Sequence, residues 1–121
     1  IEFLGQVSTE DLRFLYQQAR AFILPGEEDF GIAVVEAQAC GTPVIAYGQG
    51  GATESIVPGQ TGLLFSELTV AGLQGALDKF KSLAFNKSTI RSNAMAFSRQ
   101  ACKDKLMSYF RQKWAEFKGK P

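Results

Sequence analysis

Histidine is absent from the chain, so a His-ligated zinc site, a Ser-His-Asp triad and a Cys-His dyad are all excluded within it. Cysteine is scarce. Cys40 and Cys102 lie far apart and form no metal-ligand spacing. No apolar run reaches the ~18 to 20 residues of a membrane span. No secretory leader is read at the start, and a reducing, cytoplasmic setting is the expectation. Cations are nearly missing from the first two thirds: residues 1–78 carry only Arg13 and Arg20, against ten carboxylates.

What is present fits one globular domain. The 121 residues are 45% hydrophobic and 21% charged, which is enough to bury a core and excludes disorder. The net charge of +1 hides a split, because residues 79–121 carry eleven cations against Asp104 and Glu116. A basic tail of this kind faces an anionic membrane surface, an acidic face of another domain, or water, and solvated helices are the simplest reading. Nucleic acid is not expected, since the basic stretch carries no recognised motif. The chain opens on Ile and directly on an apolar run, so it reads as a piece of something longer.

Residues 1–4 read as a short strand ending at Gly5. Ser8 with Asp11 resembles a capping box, and Leu12, Leu15, Tyr16 and Ala19 recur at helical spacing, predicting a helix over 9–19. Residues 21–24 form an apolar strand closed by Pro25-Gly26. Residues 31–40 are nearly all apolar and too long for most strands, so they read as a buried helix stopped by Gly41. Strands are predicted at 43–47 and 62–65, with a glycine-rich loop at 48–51 and a short helix at 53–57 between them. Helices follow at about 70–85, 88–98 and 101–117. Alternating strands and helices predict an α/β fold with a Rossmann-like parallel sheet. Ligands of such sheets bind outside the carboxyl ends of the strands. That places the chemistry in the loops at 5–8, 26–30 and 48–51.

Two glutamates stand out there. Glu28 lies in the second loop and Glu36 inside the apolar helix, where a buried carboxylate is costly without donors. Glu36 either pairs with Arg13 or Arg20, escapes to the rim, or accepts hydrogen bonds from ligand hydroxyls. Asp29 suits the helix start by charge and as a cap. Gly31 allows a close approach to the backbone, and the bare amides of the first turn suit a phosphate. The set fits a phosphorylated, hydroxyl-rich molecule such as a nucleotide sugar.

The same residues carry a resemblance. Glu28-Asp29-Phe30-Gly31-Ile32-Ala33-Val34-Val35-Glu36 resembles the E-x7-E motif of the retaining family 4 (group 1) glycosyltransferases of the GT-B fold. Phe22-Ile23-Leu24-Pro25, Glu36-Ala37-Gln38-Ala39-Cys40-Gly41-Thr42-Pro43-Val44, Gly50-Gly51 and Thr61-Gly62-Leu63-Leu64-Phe65 agree in order. The resemblance implies a partial donor-binding domain over 1–121, with residues 80–121 its C-terminal helices. It implies that Glu28 contacts donor-sugar hydroxyls at the reacting centre and that Glu36 binds ribose. The amides of Asp29, Phe30, Gly31 and Ile32 would hold sugar and diphosphate, and the backbone at Gln6 and Val7 would lie beside the base. It further implies transfer of a hexosyl group with retention, no metal, no cofactor beyond the donor substrate, and a separate acceptor domain as partner. Asp29 and Ala33 stand where many members have Gly and Pro. The first part of the donor domain, with its diphosphate-neutralising cations, would be missing, leaving this piece inactive alone. A GT-B nucleotide-sugar epimerase and a non-catalytic flavodoxin-like binding domain are the competing readings. The epimerase lacks its expected histidine, and the flavodoxin-like domain its acidic cluster. A peripheral membrane contact through the basic last helix competes with packing against the acceptor domain.

Overall fold

The computed structural model describes residues 1–120. In chain order the elements are α1 (Thr9–Gln18), β1 (Phe22–Leu24), α2 (Ile32–Ala39), β2 (Val44–Tyr47), α3 (Ala52–Ser55), β3 (Gly62–Phe65), α4 (Val70–Lys81), α5 (Lys87–Met95) and α6 (Arg99–Lys118). The three strands form one parallel sheet in the order β1-β2-β3. Its register sets Phe22 beside Val44 and Ile45 beside Leu63. The predicted fold class, a Rossmann-like parallel sheet flanked by helices, is the one found.

The central strand explains why these short apolar runs are strands at all. Successive side chains of β2 point to opposite faces, and both faces are covered, so it reads as continuous apolar sequence rather than alternation. Val44 and Ala46 pack with Tyr16 of α1, Val34 and Ala37 of α2, and Ala52 and Ile56 at α3. Ile45 points the other way, onto Phe65 and Ala76 of α4. Val34, Ala37, Val44, Ile45 and Ala46 are all wholly buried. Helix α5 lies on α2 and buries Ile90 and Ala94.

Caps set the helix bounds. Ser8 Oγ accepts from Asp11 N–H at 3.1 Å and also donates to Asp11 Oδ2 at 2.7 Å, so the expected capping pair is present. Asn86 Oδ1 accepts from the N–H groups of Ser88 and Thr89 and starts α5 one residue earlier than predicted. Ser98 caps α6. Helix α4 ends at Lys81 rather than near 85, because the chain turns and stacks Phe85 on Phe80, ring centroids 5.2 Å apart.

Residues 1–4 are not a strand. They pair in no ladder, and Ile1 and Phe3 are exposed. An apolar run becomes a strand only where a neighbour takes its N–H and C=O groups. The outer edge of β1 is likewise unpaired, with Ile23 partly exposed. Helix α6 has no buried residue.

Candidate functional site at the carboxyl edge of the sheet

The loop after β1 and the start of α2 together form one face of a hollow of about 350 Å³. Its lining runs from Glu28 through Ala33, with Leu24 at its floor. Gly31 is the N-cap of α2 with φ +77, a left-handed conformation that side-chain-bearing residues avoid. This backbone requirement gives Gly31 a physical reason independent of any ligand. Asp29 is not the cap: the N-cap makes no side-chain hydrogen bond. Consequently the backbone N–H groups of Asp29, Phe30, Gly31, Ile32 and Ala33 donate to nothing among the described residues. Bare amides at the positive end of a helix dipole favour an anion. Glu28 is exposed in the same hollow. No lysine or arginine lines it.

Glu36 reaches the rim, one of the placements its apolar setting left open, because the helix itself is not the buried one expected. Helix α2 is not buried all round. Val34, Ala37 and Gln38 face inward, whereas Ile32, Glu36 and Ala39 form an exposed stripe at helical spacing. Eight residues of small apolar side chains look uniform in sequence, but only one face meets the sheet and α5. Glu36 therefore reaches the rim, and it makes no ion pair with Arg13 or Arg20 among the described residues. It lines a second hollow of about 230 Å³ between α1 and α2, with Thr9, Leu12, Arg13, Tyr16, Ala39 and Cys40. Burial, then the neighbouring Glu36 and Cys40, raises the Tyr16 phenol above its ordinary value. The two glutamates thus serve adjacent hollows. Ile32 bridges them, lining the first and standing one turn before Glu36 on the exposed stripe.

Gln6 and Val7 lie in the coil that leads into α1, Gln6 exposed and Val7 half-buried, and neither lines these two hollows. Among the described residues no His, Cys, Asp and Glu side chains cluster in a way that could hold a metal.

Sequence reasoning missed several supporting residues. Gln38 is wholly buried on α2, and its amide donates to the Ser55 carbonyl at 2.8 Å. Asn93 of α5 donates to that same carbonyl at 2.8 Å and to Gln38 Oε1 at 2.6 Å. The available signal was a lone amide side chain inside an apolar helix, which demands a partner. Phe30, at the rim of the first hollow, packs edge-on to Phe97 at 5.9 Å between ring centroids. No spacing rule connects those two residues.

The family profile described as "Glycosyl transferases group 1" matches residues 1–101. D-inositol 3-phosphate glycosyltransferase of Mycobacterium tuberculosis (strain ATCC 25618 / H37Rv) is 35% identical over 124 aligned positions, covering 97% of this chain and 26% of that protein. The protein of the same name from Mycobacterium bovis (strain BCG / Pasteur 1173P2) matches equally, at 35% identity with 97% and 26% covered. Among solved structures, sucrose-phosphate synthase from Thermosynechococcus elongatus superposes with a TM-score of 0.77 at 30% identity, over 95% of this chain and 30% of that one. The chain therefore spans less than a third of the length of these relatives.

Proposed function

Because this chain belongs to the glycosyl transferases group 1 family, we propose that it forms the donor-side layer of a retaining GT-B glycosyltransferase. The enzyme moves a hexosyl group from a nucleotide-diphosphate sugar to an acceptor, in polysaccharide or glycoconjugate synthesis. The observation that carries this reading is the pairing, in one hollow, of Glu28 with the five undonated amides of residues 29–33.

Glu28 is the sugar-facing carboxylate, close to the reacting centre. The amides of Asp29 to Ile32 hold sugar hydroxyls and the diphosphate. Glu36, on the next turn of the same exposed stripe, accepts from the ribose. Gln6 and Val7 supply backbone beside the base. Retention follows if the departing diphosphate assists attack by the acceptor on the face it leaves. The accumulating phosphate charge then meets amide dipoles fixed in place by α2, which need no reorganisation as the bond breaks. Those dipoles do not neutralise two phosphate charges, and the hollow has no cation. The neutralising residues belong to a further part of the enzyme, so residues 1–121 alone bind donor weakly and transfer nothing. No metal and no cofactor is required.

The acceptor domain is the proposed partner of the last helix. Leu106, Phe110, Trp114 and Phe117 recur along α6 at helical spacing and are all exposed. Packing against that domain covers this stripe. Docking on an anionic membrane is the second use its lysines allow. No helix among the described residues is long and apolar enough to cross a membrane. We assign the enzyme to the cytoplasm, without nucleic acid as a partner.

Saturation-transfer nuclear magnetic resonance with nucleotide sugars, followed by product analysis with the complete enzyme, tests the reading. Donor protons saturated by the protein, and sugar transfer with the anomeric configuration kept, are the expected results. Release of an epimerised nucleotide sugar would replace it with the epimerase reading.

A further inference from the structure

The glycine turn after β2 supports the donor loop from beneath. Gly51 N–H donates to the Glu28 carbonyl at 2.7 Å. A Cβ on Gly51 would stand 2.5 Å from Phe30 Cα and 2.6 Å from the Asp29 carbonyl oxygen. On Gly50 it would overlap the Glu28 carbonyl oxygen, and Gly50 is also left-handed, at φ +64. The two backbones therefore touch with no room for a side chain between them.

The turn is itself anchored. Ser55 Oγ donates to the Gly51 carbonyl at 3.2 Å. The Ser55 carbonyl takes both the Gln38 and the Asn93 amide, each at 2.8 Å. Gln38 sits on α2, the helix that starts at the donor loop. The hydrogen bonds thus close a circuit: donor loop, α2, Gln38, Ser55, Gly51, and back to Glu28. A fully satisfied buried polar network of this kind rigidifies what it joins.

We infer that Gly50 and Gly51 are positioning residues for sugar transfer. They set the height of residues 28–30 against the start of α2, so that the Glu28 carboxylate and the free amides converge on one point. The Gln38, Ser55 and Asn93 triad fixes where the turn itself lies. This inference rests on reading residues 28–33 as the donor loop. The required accuracy is high, since a shift of about 1 Å in a reacting group costs on the order of 100-fold in rate.

The experiment compares Gly50→Ala with Gly59→Ala in the complete enzyme. Gly59 is equally left-handed, at φ +78, but a Cβ there meets nothing within 4 Å. Both alanines carry the backbone strain, and only the one at 50 also displaces the donor loop. Gly50→Ala is expected to lower kcat with nucleotide sugar by on the order of 100-fold and to weaken nucleoside diphosphate binding as well, since the displaced amides also hold the diphosphate. Gly59→Ala lowers Tm and leaves kcat unchanged. In the 121-residue chain, Gly50→Ala shifts the amide resonances of residues 28–32, and Gly59→Ala does not.

Equal kcat in the two variants, or unmoved amides in Gly50→Ala, overturns the inference. If Gly50→Ala does not fold, Ser55→Ala removes only the Oγ link to Gly51. A several-fold loss of kcat is then expected, and an unchanged kcat overturns the inference. Glu28→Gln separates the two levels: full activity in that variant sinks the donor-loop reading itself, whereas an inactive Glu28→Gln beside a fully active Gly50→Ala sinks only the positioning role.

Discussion

The sheet layer and the last helix are built on opposite terms. In the first, Val44, Ile45 and Ala46 are sealed between α1 and α2 on one side and α4 on the other. In the second, a 20-residue helix, about 30 Å long at 1.5 Å per residue, has no buried residue. Its order comes from the Ser98 cap, the Lys113 to Glu116 contact at 2.7 Å, side-chain bonds such as Gln100 to Asp104, and stacking of Trp114 on Phe117. Exposed pairs of this sort contribute a few tenths of a kcal/mol each. Fully burying an Ile or Leu side chain contributes about 1.5 to 3 kcal/mol. The charge split follows the same division. The packed layer holds most of the carboxylates and the free amides, while the helix holds cations and an exposed apolar stripe. The layer is complete on two faces and the helix on none.

The largest effect should separate the two at once. Ile45→Ala is expected to destabilise the chain by about 2 to 5 kcal/mol, read by denaturant unfolding. Leu106→Ala, at 51% exposure, should leave the main transition where it is. Comparable losses from both would mean that α6 is packed in solution, and the contrast would fail.

Function should divide along the same line. Glu28→Gln in the complete enzyme is expected to cut turnover by roughly 100-fold with nucleoside diphosphate affinity nearly intact, because the proposed reading sets Glu28 against the sugar from a loop. Steady-state kinetics alongside calorimetric titration would show it. An equal loss of affinity for diphosphate and for nucleotide sugar would move Glu28 out of the sugar site. Glu36→Ala should be milder, weakening nucleotide-sugar binding by about 1 to 3 kcal/mol, the scale of hydrogen bonds lost from a charged acceptor. Charge reversal of Lys113 and Lys118, on the far helix, should leave donor affinity unaltered in the same titration.

The smallest effect concerns acid. Lys113 and Gln112 hold the Glu116 carboxyl below its ordinary value of 4.5, and Lys81 with Gln74 does the same for Asp78, below 3.8. A carboxylate whose folded value is depressed contributes stability above its unfolded value, and that contribution is lost as pH falls through the folded one. Far-ultraviolet circular dichroism should therefore stay flat above about pH 5 and lose a little helix below about pH 4. The loss in α6 should fall further with salt, since these pairs are exposed. A helix signal indifferent to both acid and salt would show that α6 is held by packing after all.

Much of this was legible beforehand because it is local. The strands at 22–24, 44–47 and 62–65 follow from short apolar runs closed by Pro25-Gly26 and Gly48, or opened after Pro43 and Gly59. The helix starts follow from Ser8 and from the apolar periodicity after Thr69. Glu28 and the amides of α2 could be placed at the carboxyl edge from chain order alone, because a loop leaving a parallel strand has one end of the sheet to leave from. Residue order also sorted the carboxylates to one side of the chain and the cations to the other.

Only the tertiary structure decided which faces are covered. Residues 1–4 have the composition of a strand, yet strand formation needs a neighbouring ladder, and none stands beside them. Glu36 sits in an apolar helix, yet burial depends on which stripe of that helix meets the sheet, and its stripe does not. The contacts that brace the loop after β1 join Gly51 to the Glu28 carbonyl, and Gln38 and Asn93 to the Ser55 carbonyl, residues distant in sequence, through backbone carbonyls that look alike in any sequence. Propensity and patterning act over a few residues, so they determined the elements and the end of the sheet at which the candidate site lies. Burial and hydrogen-bond partnership are sums over neighbours brought together by folding, and they determined that Glu28 shares a hollow with the free amides while Glu36 lines a second one.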